Sequence, residues 1–434
     1  MGDNEENELP GFDNHAPDAL KKLAQSDDKV REYLSSIAPP SLSTTIAGIK
    51  LETCVYNASG PRTGSSAALS KIGSTESGAI LAKSATLDSQ NGNPLPRTWH
   101  DNTTNESIAS MNSEGLPNSG ISYYLDPKTI SDSVGTSNKP YMISISGKTL
   151  ADNLKMLEMT NEAMVSNNNI AAIELNLACP NVIGKPIIAY DFVQMEEVLE
   201  AVSKLACFSG NKGKEPVLGV KMPPYFDGPH FEQAANVLNK YKHIVRYVAT
   251  MNTIGNALVI DIVAEMPSIS SKGGFAGLSG NAVKYTALAN VRKMRELLDD
   301  SIDVVGVGGI TSGKDAFEMV LCGAHAVQVG TCHWNEGPKC FDRICAELRA
   351  IMKEKGYTKI SDFRGKLKPW SKEGATLSRT ARKKKEAAQK AMVSTAPSKT
   401  VPDASGDDTY KFISAVLMAI VAYLLADKFG IYRI

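Results

Sequence analysis

The feature that most constrains this chain is a recurrence: short β-branched runs, each ending in polar or glycine residues, separated by longer amphipathic stretches. The runs are GAILAKS, YMISISG, AAIELNLAC, VLGVKMP, YVATMNT, DVVGVGG and AVQVGT, and stretches such as DFVQMEEVLEAVSKLA and AVKYTALANVRKMRELLDD lie between them. Strand, helix and strand in repeated alternation imply a parallel sheet, and enough repeats close it into a (β/α)8 TIM barrel. A core strand has no use for a polar end. These strands nevertheless finish on Lys83 and Ser84, Asn176 and Cys179, Lys221, Asn252 and Thr253, Gly308 and Gly309, and Gly330 and Thr331. In a barrel those ends converge on one face, the face where barrel enzymes build their sites.

Four segments follow from the texture of the chain. Residues 1–40 form an acidic extension without the Arg-rich pattern of a transit peptide or the apolar stretch of a signal peptide. Residues 41–370 hold the alternation and are expected to be the barrel. Residues 371–409, rich in Lys, Ser, Ala and Pro and poor in large apolar side chains, read as a disordered linker. Residues 410–434 contain an uncharged apolar run over 412–426. The 47 basic and 47 acidic residues cancel, which argues against nucleic acid as a partner and for small-molecule chemistry. The seven cysteines are odd in number and form no C-x-x-C pair, so neither a disulfide framework, an iron–sulfur cluster nor a metal site is expected, and a reducing compartment fits.

The strand ends point to a particular chemistry. Pro180 stops a helix from continuing through Cys179, so the thiol belongs on a loop at the barrel mouth, where its ordinary pKa of about 8.5 suits a proton acceptor. The Gly308–Gly309 pair of VGVGG and Gly330 of VQVGT offer backbone N–H groups at the ends of the last strands, where barrels commonly hold a phosphate. Lysine is rarely buried without a partner, so Lys83 and Lys221 at strand ends imply an anionic group or an electron-rich ring nearby. Together these describe a pocket for a phosphorylated planar cofactor, flavin mononucleotide (FMN), with a polar ring bound beside it.

The blocks ASGPRTG, LAKSAT, GNPLPR, NSEGLPNSGISYYL, NLACPNVIGKP, GVKMPPYFD, MNTIGNALVID, TALANVRKM and VGGITSGKDAFEMVLCGAHAVQVGT resemble, in order and spacing, the dihydroorotate dehydrogenases. The CPN-x-x-GKP form is similar to the fumarate-using, homodimeric branch. The resemblance implies FMN-dependent oxidation of dihydroorotate to orotate in pyrimidine synthesis. It also implies that Cys179 is the base removing the C5 proton. Lys83, Asn112, Gly115, Leu116, Asn176, Asn181, Asn252 and Thr253 would contact the substrate. Ser59, Lys83, Ser84, Asn176, Lys221, Gly277, Gly308, Gly309, Gly330 and Thr331 would contact FMN, with Lys221 near the N1/O2 edge of the flavin. Amides suit a ring of alternating C=O and N–H groups because they recognise both without adding a charge that competes with the base.

Two positions depart from the family pattern, Glu114 in place of methionine and Thr253 in place of serine. A Glu114 pointing inward would repel an anionic substrate or acceptor. Three rivals stand beside the main reading: another flavin-dependent pyrimidine oxidoreductase, a quinone-linked dihydroorotate dehydrogenase, and an inactive membrane-tethered binding protein. The first needs iron–sulfur relays and therefore clustered cysteines, which this chain lacks. As helix, run 412–426 would span about 22 Å, short of the hydrocarbon core of about 30 Å. It is apolar on all sides, however, and flanked by Lys411, Lys428 and Arg433 with Tyr410, Tyr423, Phe429 and Tyr432 at interface positions. The expectation is a tail anchor in an intracellular membrane, with the barrel in the cytosol.

Overall fold

The computed structural model describes residues 38–101, 109–178, 187–209 and 215–395. The chain divides into two compact units, Met1–Leu367 and Lys368–Ile434.

The first unit begins with a hairpin of β1 (Thr44–Ile46) and β2 (Ile49–Leu51) and then builds an eight-stranded parallel sheet. Its strands are β3 (Val55–Asn57), β4 (Ile80–Leu81), β7 (Tyr141–Ile145), β8 (Ile170–Asn176), β9 (Leu218–Met222), β10 (Val245–Thr250), β15 (Asp303–Val307) and β16 (Ala326–Val329). They pair in the order β3-β16-β15-β10-β9-β8-β7-β4, with a helical crossover after every strand. This is the (β/α)8 arrangement that the alternation implies. Strand β3 is the eighth strand and was not among the seven runs: Thr53 and Asn57 cut its apolar stretch to Cys54–Tyr56, whereas the two-residue β4 sits in the longer run GAILA.

A side chain bridges the two ends of the sheet. Asn57 on β3 donates from Nδ2 to the Leu81 carbonyl at 2.6 Å and accepts from the Leu81 N–H at 3.0 Å, as a backbone amide of a neighbouring strand would. Inside the barrel, register sets the layers. Glu174, Gly219 and Tyr247 lie level with one another, and Asn176, Lys221 and Ala249 form the next layer toward the mouth. Gly219 is required for packing, since a Cβ there would meet the Tyr247 ring at 2.0 Å.

The structure adds an antiparallel sheet that the alternation does not predict: β5 (Thr98–His100), β6 (Ser110–Asn112), β14 (Ala276–Ser279) and β11 (Ile254–Ala257), paired in the order β11-β14-β6-β5. Its strands come from insertions after β4 and β10. A second hairpin, β12 (Ile260–Asp261) with β13 (Met266–Pro267), extends from the same insertion.

In the second unit, Lys372–Thr395 is helical, where composition suggested a disordered linker over 371–409. Ala, Lys, Glu, Gln and Arg are strong helix formers, and the reading weighed their lack of large apolar residues over their propensity. The described residues contain no helix long and apolar enough to cross a membrane. The extension 1–37 and the apolar run 412–426 lie outside the described residues.

Candidate active site at the barrel mouth

The C-terminal ends of the strands open into a pocket of about 1310 Å³ with its open mouth included, bordered on one side by the small antiparallel sheet. Its wall includes Ser59, Lys83, Ser84, Asn112, Gly115, Leu116, Asn176, Lys221, Asn252, Thr253, Gly308, Gly309, Gly330 and Thr331. Residues separated by more than two hundred positions in sequence thus share one cavity. Cys179 and Asn181 fall outside the described residues. Gly277 is not part of the wall. It stands behind Thr253, whose Oγ1 lies 2.2 Å from where a Gly277 Cβ would be, so glycine there makes room for the threonine.

Each strand end is held by hydrogen bonds to its neighbours. Ser84 Oγ lies 2.8 Å from Ser144 Oγ and 3.1 Å from Ser59 Oγ, joining β7, β4 and the loop after β3. Asn252 donates from Nδ2 to the Ala178 carbonyl at 2.8 Å, and Asn176 Oδ1 accepts from the Ala178 N–H at 3.1 Å. Two of the predicted substrate amides therefore also pin the residue immediately before Cys179. Gln90 donates to the carbonyls of both Gly115 and Leu116 at 2.8 Å, which holds that loop in the left-handed backbone conformations of its two residues.

The glycine-rich end is buttressed from below. Gly309 has φ +72°, and a Cβ there would lie 2.5 Å from Lys284 Cα, so only glycine fits. Lys284 in turn pairs with Asp315 at 2.5 Å, and Asp315 accepts from Thr311 N–H and Oγ1, both at 2.9 Å. At the neighbouring strand end, Thr331 Oγ1 lies 3.1 Å from Ser279 Oγ and ties the chain after β16 to the small sheet.

Electrostatically, the pocket has a positive floor. Lys221 is buried, and burial holds its amine below the usual lysine range while Glu174 opposes the shift. Glu114 does line the pocket, but its carboxylate is 3.4 Å from Arg97 Nε, so its charge is compensated within the small sheet. The repulsion expected of an inward Glu114 is thus countered by a neighbour that the motif GNPLPR already contained.

Several wall residues escaped the sequence reading. Gln328 and, one layer deeper, Glu174 are polar residues inside otherwise apolar strands, and that mismatch was the available signal. Arg62, His100 and Trp334 form the rim: the Arg62 guanidinium sits 4.6 Å from the Trp334 ring centre, and His100 stacks on the same indole at 5.1 Å. No local pattern announces three residues brought together from three separate stretches of the chain. Burial and the Arg62 charge hold His100 below the ordinary histidine range.

The pocket fits a flavin mononucleotide on observations of its own. Ser59, Ser84, Asn112 and Asn176 line the wall with hydroxyl and amide groups, a buried lysine supplies positive charge, and the strand ends bearing Gly308, Gly309 and Gly330 lie side by side at one end. Among the described residues there is no group of three or more His, Cys, Asp or Glu able to hold a metal ion.

Comparison with known proteins agrees with this geometry. The family profile for dihydroorotate dehydrogenase matches residues 41–352. Dihydroorotate dehydrogenase A (fumarate) of Lactococcus lactis subsp. cremoris is 43% identical over 327 residues, covering 75% of this chain and 99% of that protein. Dihydroorotate dehydrogenase (fumarate) of Kluyveromyces lactis is 42% identical over 330 residues, covering 76% of this chain and 98% of that protein. With nearly the whole of each relative matched and the strand ends meeting in one pocket, this chain belongs to the dihydroorotate dehydrogenase family.

Proposed function

We propose that the chain oxidises dihydroorotate to orotate in pyrimidine synthesis, with FMN as resident cofactor and fumarate as electron acceptor. The observation that carries this reading is the convergence of Lys83, Asn112, Asn176, Asn252, Lys221 and the strand ends bearing Gly308, Gly309 and Gly330 on one pocket, in a chain that spans nearly all of relatives named for that reaction and acceptor. Bound FMN supplies a two-electron acceptor for the hydride leaving C6. Cys179 takes the C5 proton as the C5–C6 double bond forms. Asn112, Asn176, Asn181 and Asn252 orient the ring, with Lys83, Gly115, Leu116 and Thr253 completing its contacts. Ser59, Ser84, Gly308, Gly309, Gly330 and Thr331 would hold the cofactor, Lys221 would supply positive charge to it, and Gly277 leaves room for the Thr253 side chain.

The partners of the barrel follow the same reading. A homodimer is supported by the exposed apolar side chains around the β12–β13 hairpin, where Ile262 and Val263 are 85% and 93% exposed and Ile260 and Met266 are also solvent-facing. Residues 410–434 act as a tail anchor that leaves a cytosolic barrel tethered to an intracellular membrane. The basic helix Lys372–Thr395 between barrel and tail supports this by placing Arg379, Arg382, Lys383 and Lys384 where an anionic surface would attract them.

Anaerobic mixing tests the chemistry. Purified protein should be yellow, and dihydroorotate should bleach its flavin absorbance. Cys179→Ala should retain the flavin and slow bleaching about 10²- to 10⁴-fold, the usual contribution of a positioned base. A colourless protein, or one whose flavin dihydroorotate leaves oxidised, would overturn the reading. For the anchor, the full chain should resist carbonate extraction from membranes and a chain ending at Pro402 should not.

A further inference from the structure

The buried network beneath the pocket is larger than the site requires. Lys221 donates from Nζ to Gln328 Oε1 at 3.0 Å. Gln328 donates from Nε2 to Glu174 Oε2 at 2.7 Å and to the Tyr56 hydroxyl at 3.1 Å. Lys221, Gln328, Glu174 and Tyr56 are all buried, and of these only Lys221 and Gln328 reach the pocket wall.

Two features make this an oriented relay. An amide between a lysine and a carboxylate can satisfy both only one way round, with its oxygen toward the ammonium and its nitrogen toward the carboxylate, and that is the arrangement observed. Second, neither charge is affordable alone in a barrel interior, because an unpaired buried ion costs several kcal/mol, and each of the two groups attracts the other. Burial pushes the Glu174 carboxyl up and the Lys221 amine down, while the attraction between them opposes both shifts.

We propose that Gln328 and Glu174 are positioning residues that keep Lys221 a charged ammonium aimed at the pocket, so that the barrel floor tunes how readily a cofactor bound above it accepts electrons. The inference rests on the reading that FMN occupies this pocket. A fixed positive charge beside a flavin favours its anionic reduced form. Glu174 acts at one remove, through Gln328.

Glu174→Gln keeps the shape and the acceptor for Gln328 but removes the counter-charge. Lys221 should then hold its proton less tightly, because burial still penalises its charge and the attraction that opposed that penalty is gone. In spectroelectrochemical titration, the ratio of oxidised to reduced flavin at fixed applied potential should rise at least tenfold at pH 8, about 30 mV for a two-electron couple. The difference should shrink as the pH is lowered and Lys221 regains its proton. Gln328→Met should shift the ratio in the same direction. In a Lys221→Gln background the Glu174→Gln change should have no further effect, because the charge it acts through is gone. An unchanged or lowered ratio in Glu174→Gln, or an equal shift in both backgrounds, overturns the relay.

The flavin-free protein separates this inference from the reading beneath it. There, the rate at which fluorodinitrobenzene labels Lys221 at pH 8 should rise at least tenfold in Glu174→Gln, since only the neutral amine reacts. Faster labelling in a protein that fails to retain FMN would leave the relay standing and overturn the cofactor. An unchanged labelling rate overturns the relay whatever the pocket binds.

Discussion

The barrel strands beneath the pocket and the four-stranded sheet beside it meet the same cavity under opposite physical constraints. Strands β8, β9 and β16 are each paired on both sides, and Glu174, Lys221 and Gln328 are sealed among them with short, directional hydrogen bonds. The small sheet offers half-exposed Thr98, His100 and Asn112 to the pocket and continues into a hairpin whose tip is apolar and open to solvent. Where water is excluded, every polar atom needs a specific partner, and the arrangement tolerates little change. Where water reaches, the same residue types leave room for variation, and binding and association can be adjusted without dismantling the fold.

The sharpest way to break this comparison is at the seam of the barrel. Asn57→Leu leaves the buried Leu81 N–H and carbonyl without partners, and at about 1–3 kcal/mol for each orphaned group it should cost roughly 2–5 kcal/mol in chemical denaturation. A loss under about 1 kcal/mol would mean that the seam is not held by this side chain.

Acid should act on the buried side next. Burial, helped by the Arg62 charge, holds His333 down at about 4 against an ordinary value of 6.5. Above pH 6.5 the folded and unfolded chains both carry it neutral and its contribution is complete. As pH falls from 6.5 to 4, the unfolded chain takes up a proton that the folded chain refuses, and stability declines by about 3 kcal/mol. His333→Gln should flatten the melting temperature across that window, and a profile as steep as the parent's would assign the acid sensitivity elsewhere.

Smaller effects belong to the bordering sheet. Glu114→Met removes a partly buried ion pair with Arg97 and should cost about 1 kcal/mol or less. Flavin reduction by dihydroorotate should change less than threefold, whereas turnover with fumarate, a dianion, should stay equal or rise. Slowing of both half-reactions would make the carboxylate a structural partner of the loop. Smallest in stability is Ile262→Asp on the exposed hairpin, within about 0.5 kcal/mol by denaturation. Sedimentation should nonetheless show weakened self-association, and an undisturbed dimer would place the interface elsewhere.

The two regions were also unequally legible. Seven of the barrel strands announced themselves because a buried parallel strand is a near-continuous apolar run, and their polar ends stood out against it. Strand β3 has three residues and gave no such contrast. The small sheet assembles from strands of three or four residues contributed by insertions far apart in sequence, and nothing local says that Ser110–Asn112 will lie beside Ala276–Ser279. Helix Lys372–Thr395 was hidden for another reason, since its residues favour helix while its lack of large apolar side chains pointed to a disordered linker.

Sequence by itself determined the alternation, the barrel, the face that carries the site and the residue types gathered there, because apolar periodicity and strand-end polarity are local properties. Only the tertiary structure decided that Asn57 closes the seam, that Arg97 neutralises Glu114, that Gly277 serves Thr253, and that Gln328 joins Lys221 to Glu174. Each of those is a pairing between residues from different strands or loops. Which partner a buried charge or amide finds depends on strand register and barrel closure, and both are set by the packing of the whole unit.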